Sequence, residues 1–152
     1  MELSKIVQNI QYILAPAIMI SSGALLLLGF QNKFSALFNR LRLLNEERRR
    51  LKKKPQRVDT ENQRLQNVEK QLEGIAKRLF YVKNAILAVY VAIIAFLMTS
   101  FFLFFAIYFE FQFEFLTIFF FGTGLTALFV SSILIMLEVS VAYRILQLER
   151  KI

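Results

Sequence analysis

The sequence predicts an all-α integral membrane protein with three transmembrane helices and, between the first and second, a cytoplasmic antiparallel coiled-coil hairpin. Three long apolar stretches predict the transmembrane helices, because each is long enough to cross a hydrocarbon core of roughly 30 Å. The charge pattern predicts the side of the hairpin, since 15 of the 19 Lys and Arg residues lie between Lys33 and Lys83. Hydrophobic residues make up 57% of the chain, more than a soluble domain usually carries.

The transmembrane spans are predicted at residues 10–30, 84–108 and 116–143, and the hairpin at residues 34–82. No Lys or Arg lies between the second and third spans. Because positive residues concentrate in cytoplasmic loops, the N-terminus is predicted outside and the C-terminus in the cytoplasm. The first apolar run is too long for a cleaved signal peptide. We therefore expect a single membrane domain that crosses the cell membrane several times.

The cytoplasmic segment is predicted to form two helices joined by a turn at Pro55. In the second helix, apolar residues alternate three and four apart, which is a strict heptad seam. Asp59 or Thr60 supplies an N-cap oxygen at the start of this helix. The first helix carries a looser apolar stripe at helical spacing. The stripes are Phe34, Leu37, Phe38, Leu41, Leu44 and Leu51 in the first helix, and Leu65, Val68, Leu72, Ile75, Leu79 and Val82 in the second.

The predicted tip of this hairpin is strongly basic. Two interpretations remain open, namely contact with an anionic lipid or an acidic protein, and a solvated turn that enforces the topology. Nucleic-acid binding is not expected, because the tip lacks the aromatic side chains on which single-stranded bases stack. The tip residues are Arg48, Arg49, Arg50, Lys52, Lys53 and Lys54, followed by Arg57.

Each span carries a line of small residues at helical spacing, a face along which membrane helices approach closely. Such faces exceed what one three-helix bundle needs, so we expect a homo-oligomer that associates through the first or third span. The lines are Ala17, Ser21 and Ala24 in the first span, Ala85, Ala88, Ala92, Ala95, Thr99 and Ala106 in the second, and Gly124, Ala127, Ser131, Glu138 and Ala142 in the third.

The link between the second and third spans reads FEFQFEF at residues 109–115. Strict alternation is typical of a strand, but an isolated strand at a membrane surface would leave its backbone groups unpaired. A tight helical hairpin is expected instead, with Glu110 and Glu114 facing external water.

Glu138 is the only acidic side chain inside a predicted span. It lies six residues before Arg144, roughly 9 Å along the helix from the cytoplasmic boundary. A carboxylate at this depth is costly unless it is paired, wetted or protonated. Two interpretations remain open: a salt bridge with Lys33, Arg40 or Arg42, and a cation or proton site at the inner mouth of a pathway.

Five short motifs lie in two stretches of the sequence, residues 15–44 and 134–148. They are Pro16, the patch Ser21–Gly23, the pair Asn32 and Lys33, the run Asn39, Arg40, Leu41 and Arg42, and Glu138. On these motifs the chain resembles a family of small bacterial inner-membrane proteins with three spans, catalogued as a domain of unknown function. Asn39 stands where the family pattern has an acidic residue, which argues against an acid–arginine pair there. The resemblance implies no known activity.

The layout is also similar, in topology only, to the insertase superfamily that contains bacterial YidC. The hydrophilic groove of that superfamily usually needs polar or basic residues at mid-membrane. The first two spans offer only Ser21, Ser22, Thr99 and Ser100.

Composition argues against catalysis. The chain has no Cys and no His, so thiolate chemistry and Cys/His zinc sites are excluded, and neither a metal nor a cofactor is expected. Two function classes remain. The preferred one is a homo-oligomeric cation channel or transporter-like pore, with a ring of Glu138 and nearby Ser131 at its inner mouth. The alternative is a membrane scaffold or insertase-like interaction protein that uses the basic hairpin.

Overall fold

The computed structural model describes residues 2–53, 59–109 and 114–150. No strand occurs among these residues, which form three α-helices. All three are long and apolar enough to cross a membrane. The prediction of an all-helical chain with three such helices is confirmed. The helices are α1, Glu2–Lys52; α2, Asp59–Phe109; and α3, Glu114–Arg150.

The helices are longer than the predicted spans, because the segments predicted to be cytoplasmic continue them without a break. α1 runs from the first predicted span into the basic segment, and α2 runs from the basic segment through the second span. Gly29 is the residue of lowest helix propensity at the boundary between the first predicted span and the basic segment, and an isolated glycine is tolerated within a helix. The predicted turn at Pro55 and the link that contains Glu110 lie outside the described residues.

The chain divides into two compact units. The first consists of Met1–Gly29 and Ala85–Ile133, and the second consists of Phe30–Asn84 and Leu134–Ile152. Each unit therefore takes one stretch from each of the three helices, and it has its own buried side chains.

Close approach of helices across glycine organises the first unit. A Cβ added at Gly124 of α3 would lie 2.6 Å from Cε1 of Phe96 on α2, so the ring packs directly on the glycine. A Cβ added at Gly23 of α1 would lie 3.1 Å from Cγ1 of Ile93 on α2. Both α1 and α3 therefore contact α2 where a side chain is missing, which is how membrane helices gain packing contacts.

Most residues in the small-residue lines of α2 and α3 are buried, but those in the line of α1 are exposed. Ala17, Ser21 and Ala24 are exposed, whereas Pro16 and Gly23 are buried. Gly23 permits the closer approach because it has no Cβ, and Pro16 lies seven residues earlier on the same helical face. The buried members of the other two lines are Ala85, Ala92, Ala95 and Thr99 in α2, and Gly124, Ser131 and Glu138 in α3.

In the second unit, the end of α1 lies beside the start of α2. Arg64 of α2 donates a 2.8 Å hydrogen bond from Nε to Oε1 of Glu47 on α1. Lys52 of α1 pairs with Glu69 of α2 at 3.0 Å. The two helices therefore pack together in this unit. The apolar side chains buried in it are Leu37 of α1 and Val68, Leu72, Ile75 and Val82 of α2.

Candidate functional site

A buried carboxylate on α3 is the candidate functional site. The side chain of Glu138 has no exposed surface, although it is charged and lies in a strongly apolar helix. A buried carboxylate is tolerated only when other groups compensate its charge. The partners of Glu138 therefore decide what the site can do.

Two cations from two other helices contact this carboxylate. Arg78 of α2 donates a hydrogen bond of 2.8 Å from Nε to Oε1 of Glu138. Lys33 of α1 places its Nζ against Oε2, as a charge contact outside hydrogen-bond geometry. All three residues belong to the second unit. A single carboxylate thus joins α1, α2 and α3, and we call this arrangement the Glu138 cluster.

Helical spacing explains how the two cations reach Glu138. Arg78 lies three residues after Ile75 and four before Val82, both of which are buried. Lys33 lies four residues before buried Leu37 on α1. Residues three or four apart share a helical face, so each cation is carried towards the interior by its apolar neighbours.

The two cations that contact Glu138 are partly exposed to solvent. The side chain of Lys33 is 33% exposed and that of Arg78 is 23% exposed, while Glu138 is at 0%. Long basic side chains commonly bury the stem and keep the charged end accessible. The carboxylate is thus fully buried, whereas both of its partners keep part of their side chains accessible.

The structure brings together only one of the three predicted cations with Glu138. Lys33 is in contact with it, whereas Arg42 lies 3.6 Å from Glu46, four residues further along α1. Arg40 is exposed. Asn32 and Asn39 are exposed as well.

Sequence reasoning missed Arg78. The available signal was its place beside the heptad seam of α2, a position from which charged side chains commonly reach a neighbouring helix. That position alone does not identify the partner, because Arg78 and Glu138 are 60 residues apart in sequence.

Ser131 forms a hydrogen bond with the backbone of a neighbouring helix. Its Oγ donates a 3.1 Å hydrogen bond to the carbonyl oxygen of Ala85 on α2, and the residue is buried. Thr99, the other buried hydroxyl of the first unit, donates to the carbonyl oxygen of Ala95 at 2.9 Å. Both hydroxyls are thus satisfied within the protein, and Ser131 links α3 to α2.

The basic tip is largely accessible where it is described. Arg48 is half-buried, and Lys52 is exposed and paired with Glu69. Lys54 lies outside the described residues, as does Glu110 of the predicted external pair, whereas Glu114 begins α3 and is exposed. The remaining exposed tip residues are Arg49, Arg50 and Lys53.

The described residues contain no group of three or more Asp, Glu, His or Cys side chains that could hold a metal ion. The Glu138 cluster offers one carboxylate and two cations, a combination that compensates charge and fixes helices relative to one another within the second unit.

Comparison with known proteins gives one match. A family model described as a protein of unknown function, DUF2721, matches residues 13–148. No curated protein and no solved structure matches the chain. The match covers most of the sequence, including all three residues of the Glu138 cluster. The chain belongs to this family.

Proposed function

We propose that this member of the DUF2721 family is a membrane interaction protein that presents a basic helical hairpin to an acidic protein in the cytoplasm. The hairpin consists of the end of α1 and the start of α2, which pack together in the second unit. The observation that carries the proposal is the exposure of Arg49, Arg50 and Lys53 at the end of α1.

The charges at this tip are available to a partner. Near the tip, Glu47 pairs with Arg64, and Glu69 pairs with Lys52. Arg49 and Arg50 form no ion pair with another described residue. Clustered surface cations steer encounters with acidic surfaces and favour partners of opposite charge.

The pairing of Glu138 supports this function over conduction. An unpaired intramembrane carboxylate would be the best argument for a cation pathway, because such a group needs a compensating ion. Here Arg78 and Lys33 compensate it within one chain. The ion pairs that hold α3 then account for Glu138 without an ion pathway. The basic hairpin remains as the surface whose chemistry indicates a function.

The double variant Arg49→Gln and Arg50→Gln, which removes two positive charges from the tip, tests the proposed docking. A photo-crosslinking residue at Lys53, in inside-out membrane vesicles, should trap an acidic protein in the wild-type background. We expect the double variant to reduce the yield several-fold, and added salt to reduce it too, because salt screens exposed charges. The matched control removes two exposed charges elsewhere, with Arg40→Gln and Lys70→Gln, and should leave the yield unchanged.

The same variants separate docking from topology. A reporter fused after Ile152 is expected to be cytoplasmic, and one inserted at Gln112 external. If the Arg49 and Arg50 variant inverts these reporters, or if crosslinking is the same in both variant pairs, the tip serves orientation and the docking proposal is wrong.

A homo-oligomeric cation pore is the second candidate, favoured by the exposed small-residue line of α1. Ala17, Ser21 and Ala24 leave a face on which a second copy could approach closely. We expect Ser21→Leu to lower the oligomeric mass in native detergent, and Leu25→Ile, on the same helix, to leave it unchanged. A monomer at every detergent ratio, or proteoliposomes without cation flux, would remove the pore hypothesis.

A further inference from the structure

We propose that the accessible side of the Glu138 cluster binds the phosphate group of an anionic phospholipid, through Lys33 and Arg78. The proposal does not depend on the function of the basic tip. It rests on the charge balance of the cluster, on the hydrogen-bond donors that Glu138 leaves unused, and on the apolar, membrane-length helices that carry the three residues.

The cluster is not neutral. Two cations share one carboxylate, so the formal charge of the three side chains is positive by one. Close to a membrane surface, an excess of positive charge attracts anionic lipid. The excess lies on the side that Lys33 and Arg78 expose, because Glu138 itself is completely buried.

The donors of the two cations are mostly unused. A guanidinium carries five N–H groups, and Arg78 directs its Nε–H to Glu138. Among the described residues, its two Nη groups have no hydrogen-bond acceptor. Lys33 has three N–H donors and contacts one carboxylate oxygen. Arginine and lysine together, with unused donors on partly exposed side chains, suit a phosphate ligand.

The surroundings favour a lipid over a dissolved phosphate. All three helices that form the cluster are long and apolar enough to cross a membrane. Lys33 lies three residues beyond the first predicted span and Glu138 lies near the end of the third, so the cluster is expected at the level of the lipid head groups. A phospholipid carries its phosphate at this level of the bilayer, whereas a dissolved ion is not held there. Basic pockets between membrane helices on the cytoplasmic side characteristically hold anionic head groups.

Native mass spectrometry of the full chain in detergent, titrated with defined lipids, tests the proposal. Phosphatidylglycerol is the anionic probe, and phosphatidylcholine, which has the same phosphodiester but no net charge, is its control. We expect the first phosphatidylglycerol to bind about fivefold more tightly than phosphatidylcholine, the effect of about one charge at a membrane surface. Inorganic phosphate at millimolar concentration should not displace the lipid.

Two variants change the cluster charge in opposite directions. Lys33→Gln leaves the Arg78–Glu138 pair intact and makes the cluster neutral, so the fivefold preference should disappear. Glu138→Gln raises the charge by one, so the preference should be kept or increased. Lys70→Gln removes an exposed lysine outside the cluster, and the preference should be unchanged. Circular dichroism identifies any variant that is not folded, and Arg78→Gln then replaces Lys33→Gln as the neutral form.

Three results would overturn the proposal. They are equal affinity of the wild type for both lipids, an unchanged preference in the folded neutral variant, and complete displacement of phosphatidylglycerol by inorganic phosphate. The last result would assign the site to a dissolved anion instead of a lipid.

Discussion

Glu138→Gln should lower the free energy of unfolding by about 3 kcal/mol, the lower end of the range for breaking a buried ion pair. Replacing the carboxylate leaves Lys33 and Arg78 facing an uncharged amide and each other. The lower end applies because both cations are partly exposed and can turn towards water. Denaturation in mixed micelles of increasing sodium dodecyl sulfate, followed by circular dichroism, measures the change.

A double-mutant cycle identifies the cause of that loss. Adding Arg78→Gln to Glu138→Gln removes one of the two uncompensated charges, so much of the lost stability should return. The control is Glu73→Gln, which removes an exposed carboxylate that pairs with Lys77 on one turn of α2. Exposed pairs contribute little to stability, so this variant should unfold like the wild type. If Glu138→Gln and Glu73→Gln behave alike, Glu138 does not hold the helices.

Gly124→Ala should destabilise the first unit by about 1–3 kcal/mol, as expected for overpacking. The new Cβ would lie 2.6 Å from Cε1 and 2.8 Å from Cζ of Phe96, closer than real Cβ contacts. Phe96 is completely buried and also packs edge-on against Phe121, with ring centroids 5.7 Å apart. The ring therefore has little room to move away.

A second glycine on α3 provides the matched control. A Cβ at Gly122 would meet nothing within 4 Å, so Gly122→Ala should be neutral or slightly stabilising, because alanine is the better helix former. Combining Gly124→Ala with Phe96→Leu shortens the opposing side chain and should restore part of the stability. The same detergent unfolding experiment measures all three variants. Equal stability of Gly122→Ala and Gly124→Ala would contradict direct packing of Phe96 on Gly124.

The helices were predictable from the sequence because long apolar runs leave few alternatives to membrane-crossing helices. The need of Glu138 for a compensating partner was also predictable, because a carboxylate within an apolar span is costly when it is unpaired. Lys33 could be proposed as its partner because it lies just beyond a predicted span. The coiled-coil hairpin, its cytoplasmic placement and the orientation in the membrane remain predictions.

Other features depend on which faces meet, which a pattern along one helix does not reveal. The line Ala17, Ser21 and Ala24 looked like a packing face, but Gly23 permits a closer approach on the neighbouring face of α1. Arg78 was hidden among the many basic residues of the central segment, most of which are exposed. Its role depends on contact with α3, and no local rule selects it from the other cations.

The complete burial of Glu138 bears on how the protein is made. A helix that enters the bilayer with an uncompensated carboxylate pays a cost that its apolar residues must offset. The chain is synthesised from its N-terminus, so the helices that carry Lys33 and Arg78 both precede the helix that carries Glu138. Both counter-charges thus exist before the carboxylate leaves the ribosome. We therefore expect integration of the last helix into the bilayer to depend on the two helices that precede it, and Lys33→Gln or Arg78→Gln to reduce that integration.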